Sequence, residues 1–169
     1  NKAVFPGLQG GPLAHIIAAK AVAFKEALQP DFKVYASRVI ENARALAQAL
    51  LEKGFSIVSG GTDSHLILVD LRPAGITGKE AQECLDTIGV TANKNTIPYD
   101  PQPPTVCSGL RMGTPAITTR GMGVEEMKKI ASIMTDALQN RDKPEKLKSL
   151  QDDVKSLSAG FPLYRHRLV

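Results

Sequence analysis

The run Phe55-Ser56-Ile57-Val58-Ser59-Gly60-Gly61-Thr62-Asp63-Ser64-His65-Leu66-Ile67-Leu68-Val69-Asp70-Leu71 reads as two strands. Residues 55–58 and 66–71 are rich in aliphatic and β-branched side chains that suit a pleated surface. Between them Ser59-Gly60-Gly61-Thr62-Asp63 supplies turn chemistry, with two glycines free to take positive φ and polar side chains that bond their own backbone. The short connection predicts an antiparallel pair, and so a sheet of the α+β kind rather than a parallel βαβ array.

On the N-terminal side the pattern becomes helical. From Pro12 to about Gln29 the residues Leu13, Ile16, Ile17, Val22, Phe24 and Leu28 are dense and set among alanines, which predicts a largely buried helix. Pro30 ends it, and a second helix is expected from Asp31 to about Lys53, with Val34, Val39, Ile40, Leu46, Leu50 and Leu51 at helical spacing and Gly54 just past its end. The two helices are expected to meet at a bend. The first of them reads as an element made to pack on another domain.

On the C-terminal side Thr77-Gly78-Lys79-Glu80 is a capping box opening a helix to about Ile88, and Gly89 leads into a short strand at residues 90–92. Asn93 to Thr105 carries Pro98, Pro101, Pro103 and Pro104 among polar residues, which predicts a long irregular loop of the kind that often serves function. A strand over 109–113 follows, then a helical turn opened by Thr114-Pro115, and amphipathic helices over about 124–140 and 144–158. The expected fold is α+β, a short mainly antiparallel sheet covered by helices, with residues 1–30 and 31–169 as separate parts.

Composition narrows the function. With 169 residues, 43% of them hydrophobic, the chain can bury a core, and its net charge of +4 is spread among alternating acids and lysines. No basic run is interleaved with aromatics, so nucleic acid is not an expected partner. No apolar run reaches the roughly 20 residues that span a bilayer, which argues against a membrane protein. Cys84 and Cys107 are too few for a disulfide framework and stand in no metal-binding spacing, so a reducing, cytoplasmic setting is expected. His15, His65 and His166 form no ligand spacing, and no metal is expected. The chain opens on Asn1 inside structured-looking sequence, which reads as a piece of something longer.

Two places could carry chemistry. Phe5-Pro6-Gly7-Leu8-Gln9-Gly10-Gly11-Pro12 is a glycine-rich turn running into a helix, with Pro12 suited to a first helical position. Gly10 and Gly11 would let backbone N–H groups approach an anion closely; a plain turn and cap is the other reading. Arg111 sits in the small, apolar strand Ser108-Gly109-Leu110-Arg111-Met112-Gly113-Thr114. Its planar fork could grip a carboxylate, or it could pair with an internal acid such as Asp70, or be exposed on an edge strand. No motif of a nucleophilic Ser, Cys or Lys is present.

Taken in order, Phe5-Pro6-Gly7 through Pro12, Val58-Ser59-Gly60-Gly61-Thr62-Asp63, Asn93-Lys94-Asn95 and Ser108-Gly109-Leu110-Arg111 with Gly113-Thr114-Pro115-Ala116 resemble the serine hydroxymethyltransferases of bacterial type. These are pyridoxal-phosphate enzymes of the aspartate-aminotransferase-like group, fold type I, and the resemblance covers essentially the whole chain as their C-terminal part. It implies that residues 1–30 end the large cofactor-binding domain and 31–169 form the small domain. It also implies interconversion of serine plus tetrahydrofolate with glycine plus 5,10-methylenetetrahydrofolate by a homodimer.

By the same resemblance Gly10 and Gly11 reach the cofactor phosphate of the neighbouring subunit, and Arg111 grips the substrate carboxylate. Phe5, Asn95, Pro103, Pro104 and Thr105 match positions lining the folate site. The lysine that carries the cofactor belongs to a Thr-His-Lys context that the chain lacks, since Lys2, Lys20 and Lys25 are not in that setting. The 169 residues alone are therefore expected to be inactive without the upstream part of the enzyme. Alternatives are the small domain of another enzyme of this fold group, such as an aminotransferase, and a non-catalytic binding or scaffold module. Against the scaffold stands Arg111, because an unpaired buried arginine would be costly to keep.

Overall fold

The computed structural model describes residues 1–164. The chain divides into two compact units, Asn1–Ala36 and Ser37–Val169.

The first unit holds a coil of turns over residues 1–8, helix α1 (Ala14–Ala27) and the start of α2 (Pro30–Glu52). α1 begins two residues later than expected. Leu13 is its N-cap and Pro12 precedes the cap, because the Pro12 carbonyl accepts the Ala14 N–H at 3.0 Å in a turn that delays the helix. Contrary to the expected burial, no residue of α1 is buried, and Leu13, Ile17, Val22, Phe24 and Leu28 are all more than half exposed. The apolar side chains are there, but nothing within the unit covers them. Pro30 opens α2 rather than merely closing α1, as expected of a residue that lacks an N–H and is pre-set for a first helical turn.

In the second unit α2 buries Val39, Leu46 and Leu50 of the expected stripe together with Ala43 and Ala47, while Ile40 and Leu51 are half-buried; Val34, in the first unit, is exposed. Gly54 ends it at φ 88°, with the N–H of Phe55 returned to the Leu50 carbonyl at 3.0 Å. Strands β1 (Ser56–Ile57) and β2 (Leu66–Asp70) pair antiparallel in the register Ser56↔Asp70 and Ile57↔Val69, as expected. The first strand is shorter than predicted because Val58–Gly60 turns into a 3-10 segment with Ser59 and Gly60 at positive φ. Helix α3 (Gly78–Thr87) starts at the capping box: Thr77 Oγ1 accepts the Glu80 N–H, and the Glu80 carboxylate accepts the Thr77 N–H.

The strand expected at 90–92 lies at Asn93–Asn95 (β3) instead. The Val90 N–H is used by the helix end, donating to the Leu85 carbonyl at 3.0 Å, and pairing begins only three residues later. β3 joins β4 (Gly109–Gly113), which occupies its predicted span, and the order is β1-β2-β4-β3 with every pair antiparallel. Helices α4 (Pro115–Thr119), α5 (Val124–Gln139) and α6 (Pro144–Ala159) complete the unit.

Ile67, Val69, Leu110 and Met112 point from the sheet into one core with Leu46 and Leu50 of α2, Ala81 and Leu85 of α3, and Met127, Ala131, Met134 and Leu138 of α5. Alternation along the strands therefore sends Leu66, Leu68, Gly109, Arg111 and Gly113 to the other face, where Gly109 is buried beneath Ile97 and the other four are not. The fold is α+β, with an antiparallel sheet covered by helices on one side. α2 and α4 are locked by buried polar contacts: Thr114 Oγ1 donates to the Val39 carbonyl at 2.7 Å, and Asn42 Nδ2 donates to Thr118 Oγ1 at 2.9 Å and the Met122 carbonyl at 3.0 Å.

Candidate functional site: the uncovered sheet face

Arg111 stands on β4, an interior strand, with Leu68 of β2 opposite on one side and Asn93 of β3 opposite on the other. Directly paired residues share a face, so Asn93, and Asn95 two positions along, lie on the same side as Arg111. Gly109 and Gly113 flank it within the strand and leave the guanidinium without side-chain neighbours along β4. Gly109 is required there, because a Cβ would meet Ile97 Cγ2 at 2.5 Å and the Asn95 carbonyl at 2.7 Å.

Two of the bland readings of Arg111 fall away. Asp70 does not pair with it, because Arg72 takes that carboxylate from both sides, Nη2 to Oδ2 at 2.7 Å and Nε to both oxygens at 3.1 Å. That guanidinium's hydrogen bonds hold the Asp70 carboxyl below its ordinary range. Nor is β4 an edge strand. Arg111 is exposed, and its side chain makes no hydrogen bond or ion pair among the described residues. Contrary to the expectation of a buried arginine, Arg111 carries no burial cost that would speak against a scaffold role; it is an accessible, uncommitted fork.

The proline loop runs from Thr96 straight into β4, and Pro103, Pro104 and Thr105 are exposed on it. Residues 93–95, expected within the loop, form β3. A single carboxylate ties the rest together. Asp100 Oδ2 accepts the N–H groups of Ile97 at 3.1 Å and Ser108 at 2.9 Å, while Oδ1 accepts the Gln102 N–H at 2.9 Å and the Ser108 hydroxyl at 2.7 Å. Burial alone would raise this carboxyl, but the Ser108 hydroxyl and the three N–H groups outweigh it and keep the acid well below the usual carboxylate range. Sequence reasoning missed Asp100. The available signal was Tyr99-Asp100-Pro101 inside a run of prolines, an Asx-turn setting.

A family model described as serine hydroxymethyltransferase matches residues 1–134. Over 166 residues the chain is 58% identical to a serine hydroxymethyltransferase of Crocosphaera subtropica (strain ATCC 51142 / BH68), an alignment covering 98% of this chain and 39% of that relative. The chain belongs to the serine hydroxymethyltransferase family. It spans about two fifths of the length of the curated relative it matches. Family membership sets aside the aminotransferase reading.

In this chain Phe5, Gly10 and Gly11 belong to the first unit, while Asn95, Pro103, Pro104, Thr105 and Arg111 belong to the second. Within the second unit the fold brings Asn95 and Arg111 onto one face, and Pro103, Pro104 and Thr105 stand on the loop that leads into β4. In the first unit Phe5 is 62% exposed. The N–H groups of Gly10, Gly11 and Leu13 make no backbone hydrogen bond among the described residues, and a Cβ at either glycine would meet nothing within 4 Å. Free donors at a helix entrance suit an anion. Open space around both glycines means that nothing in this unit itself demands them.

Asn95 Nδ2 donates to the Thr96 carbonyl at 2.7 Å, leaving its side-chain oxygen as acceptor. Among the described residues no three His, Cys, Asp or Glu side chains group as a metal site. His166 lies outside the described residues. Among the described residues, no helix is long and apolar enough to cross a membrane.

Proposed function

We propose that the chain is the C-terminal part of a cytoplasmic, homodimeric serine hydroxymethyltransferase, with residues 1–30 ending the large domain and 31–169 forming the small one. The assembled enzyme converts serine and tetrahydrofolate to glycine, 5,10-methylenetetrahydrofolate and water, and runs the reverse. Pyridoxal phosphate, when bound, supplies the electron sink for carbanion character at the amino acid Cα. Gly10 and Gly11 fit the phosphate of that group through their uncommitted N–H donors, and would offer them to the cofactor of the neighbouring subunit.

Arg111 carries the reading. Its free fork donates two parallel hydrogen bonds to the substrate carboxylate, and so fixes which bond at Cα stands ready to break. Orientation of that kind can contribute up to about 7–11 kcal/mol in favourable cases. Asn95 and the edge formed by Pro103, Pro104 and Thr105 line the approach for tetrahydrofolate, and Phe5 is assigned to the same ligand by the family resemblance alone.

The test is serine binding to the full-length enzyme by calorimetry. Arg111→Lys keeps the charge and loses the fork, and hydrogen bonds to charged groups contribute about 1.5–3 kcal/mol, so serine should bind roughly 10–100-fold more weakly. Unchanged affinity overturns the role. The 169-residue chain alone, with no Thr-His-Lys segment, should release no glycine from serine and tetrahydrofolate, and measurable turnover by a pure sample would refute its inactivity.

A further inference from the structure

We propose that Asp100 is a positioning residue for the folate co-substrate, its carboxylate holding the 97–108 loop in the shape that receives the ligand while tying that loop to the strand that carries Arg111. The proposal rests on the folate reading of Pro103, Pro104 and Thr105 given above. Four donors from three separated residues converge on one side chain: Ile97 before it, Gln102 just ahead of the prolines, and Ser108 at the entrance to β4. Each marks a joint of the loop.

Ile97 is packed on Gly109, on the same sheet face as Arg111 and two residues away from it. Gln102 begins the exposed edge. Ser108 is buried, and its carbonyl accepts the Leu71 N–H at 2.9 Å, so the carboxylate is anchored to the sheet itself. The far limb of the loop is held separately, where the first N–H groups of α3, from Gly78 and Lys79, donate to the carbonyls of Cys107 and Val106 at 2.8 and 3.0 Å. Between these anchors Tyr99 and Cys107 adopt φ of 56° and 59°, a left-handed backbone that non-glycine residues keep only when their surroundings hold them there.

Only an ionised carboxylate can accept all four donors. An amide at this position offers one acceptor oxygen; with that oxygen kept on Ile97 and Ser108, its NH2 group faces the Gln102 N–H, whose bond is lost, and the Ser108 hydroxyl, which must reverse to accept, all with almost no change in volume. Arg111 lies within the regular ladder of β4, paired to both neighbours, and does not depend on the loop for its place. Loss of the Asp100 bonds should therefore be felt by the folate and not by the amino acid.

The experiment compares full-length wild type with Asp100→Asn and Ser108→Ala, measuring calorimetric affinities for tetrahydrofolate and for serine, KM and kcat, and the melting temperature. Asp100→Asn should weaken tetrahydrofolate binding about tenfold or more and raise its KM to match. Serine affinity should stay within about twofold, and kcat at saturating folate should be little changed. Ser108→Ala, which removes one of the four bonds, should move in the same direction by about threefold, and it decides the matter if Asp100→Asn does not fold. Unchanged folate affinity overturns the proposal. So does an equal loss of serine and folate affinity alongside a lowered melting temperature, which would make Asp100 a general support of the fold. A wild-type enzyme that binds serine but no tetrahydrofolate would instead defeat the folate reading itself.

Discussion

Arg111 stands between Gly109 and Gly113, exposed and committed to nothing, in the same register as Leu68 and Asn93. A side chain of this kind contributes little to folding, and surface changes away from caps and buried networks usually stay within about 0.5 kcal/mol. Arg111→Ala in the purified chain is therefore expected to leave urea denaturation unchanged within that margin, while the same substitution in the full-length enzyme abolishes tight serine binding. A stability loss well above it would mean that Arg111 holds the sheet together. Gly109 is the opposite case. Gly109→Ala drives a methyl into Ile97 and the Asn95 carbonyl and should destabilise by about 1–3 kcal/mol in the same titration.

The capping box of α3 shows what local sequence can encode at the scale of an element. Thr77 and Glu80 satisfy each other within four residues, so the helix start is legible from the sequence alone, and Thr77→Ala should cost about 1 kcal/mol in the unfolding free energy. Four carboxyls in this unit are held below their ordinary range: Asp70 by the Arg72 side chain, Glu80 by the Thr77 N–H and hydroxyl, Asp100 by the loop donors that override its burial, and Glu125 by the Lys128 ammonium. Depressed folded values mean that their stabilisation is complete above the unfolded carboxylate range near about pH 4. It is lost as pH falls through the folded values. A melting series from neutral to acid pH should therefore stay level until about pH 4 and then decline, less steeply for Glu80→Gln. β4 was as legible as α3, since its alternation and glycines are local. β3 was not: Val90 and Thr91 have the better strand propensity, yet the helix-ending bond from Val90 to Leu85 displaces pairing onto Asn93-Lys94-Asn95. Asp100 was hidden for a similar reason, because its three partner residues run from Ile97 to Ser108 and converge only in the folded loop.

For the whole molecule the informative misreading is α1. Its sequence carries the density of apolar residues that a buried helix needs, and burial was expected on that ground, but burial is a property of partners, and none of its residues is covered here. Exposed apolar stripes of this size mark surfaces that meet other protein. The purified 169-residue chain is expected to self-associate in sedimentation velocity, and Ile17→Lys should shift it toward monomer; a monodisperse wild-type monomer at high concentration would count against the idea. The sheet decides what form such association takes. Its outer strands are β1, two residues long, and β3, three residues long and wholly polar. Neither offers the long, flat, apolar border on which strands from other molecules add to build cross-β fibres. Whatever clusters form when α1 is unpaired should dissolve again, stay silent to thioflavin, and return intact sheets to solution.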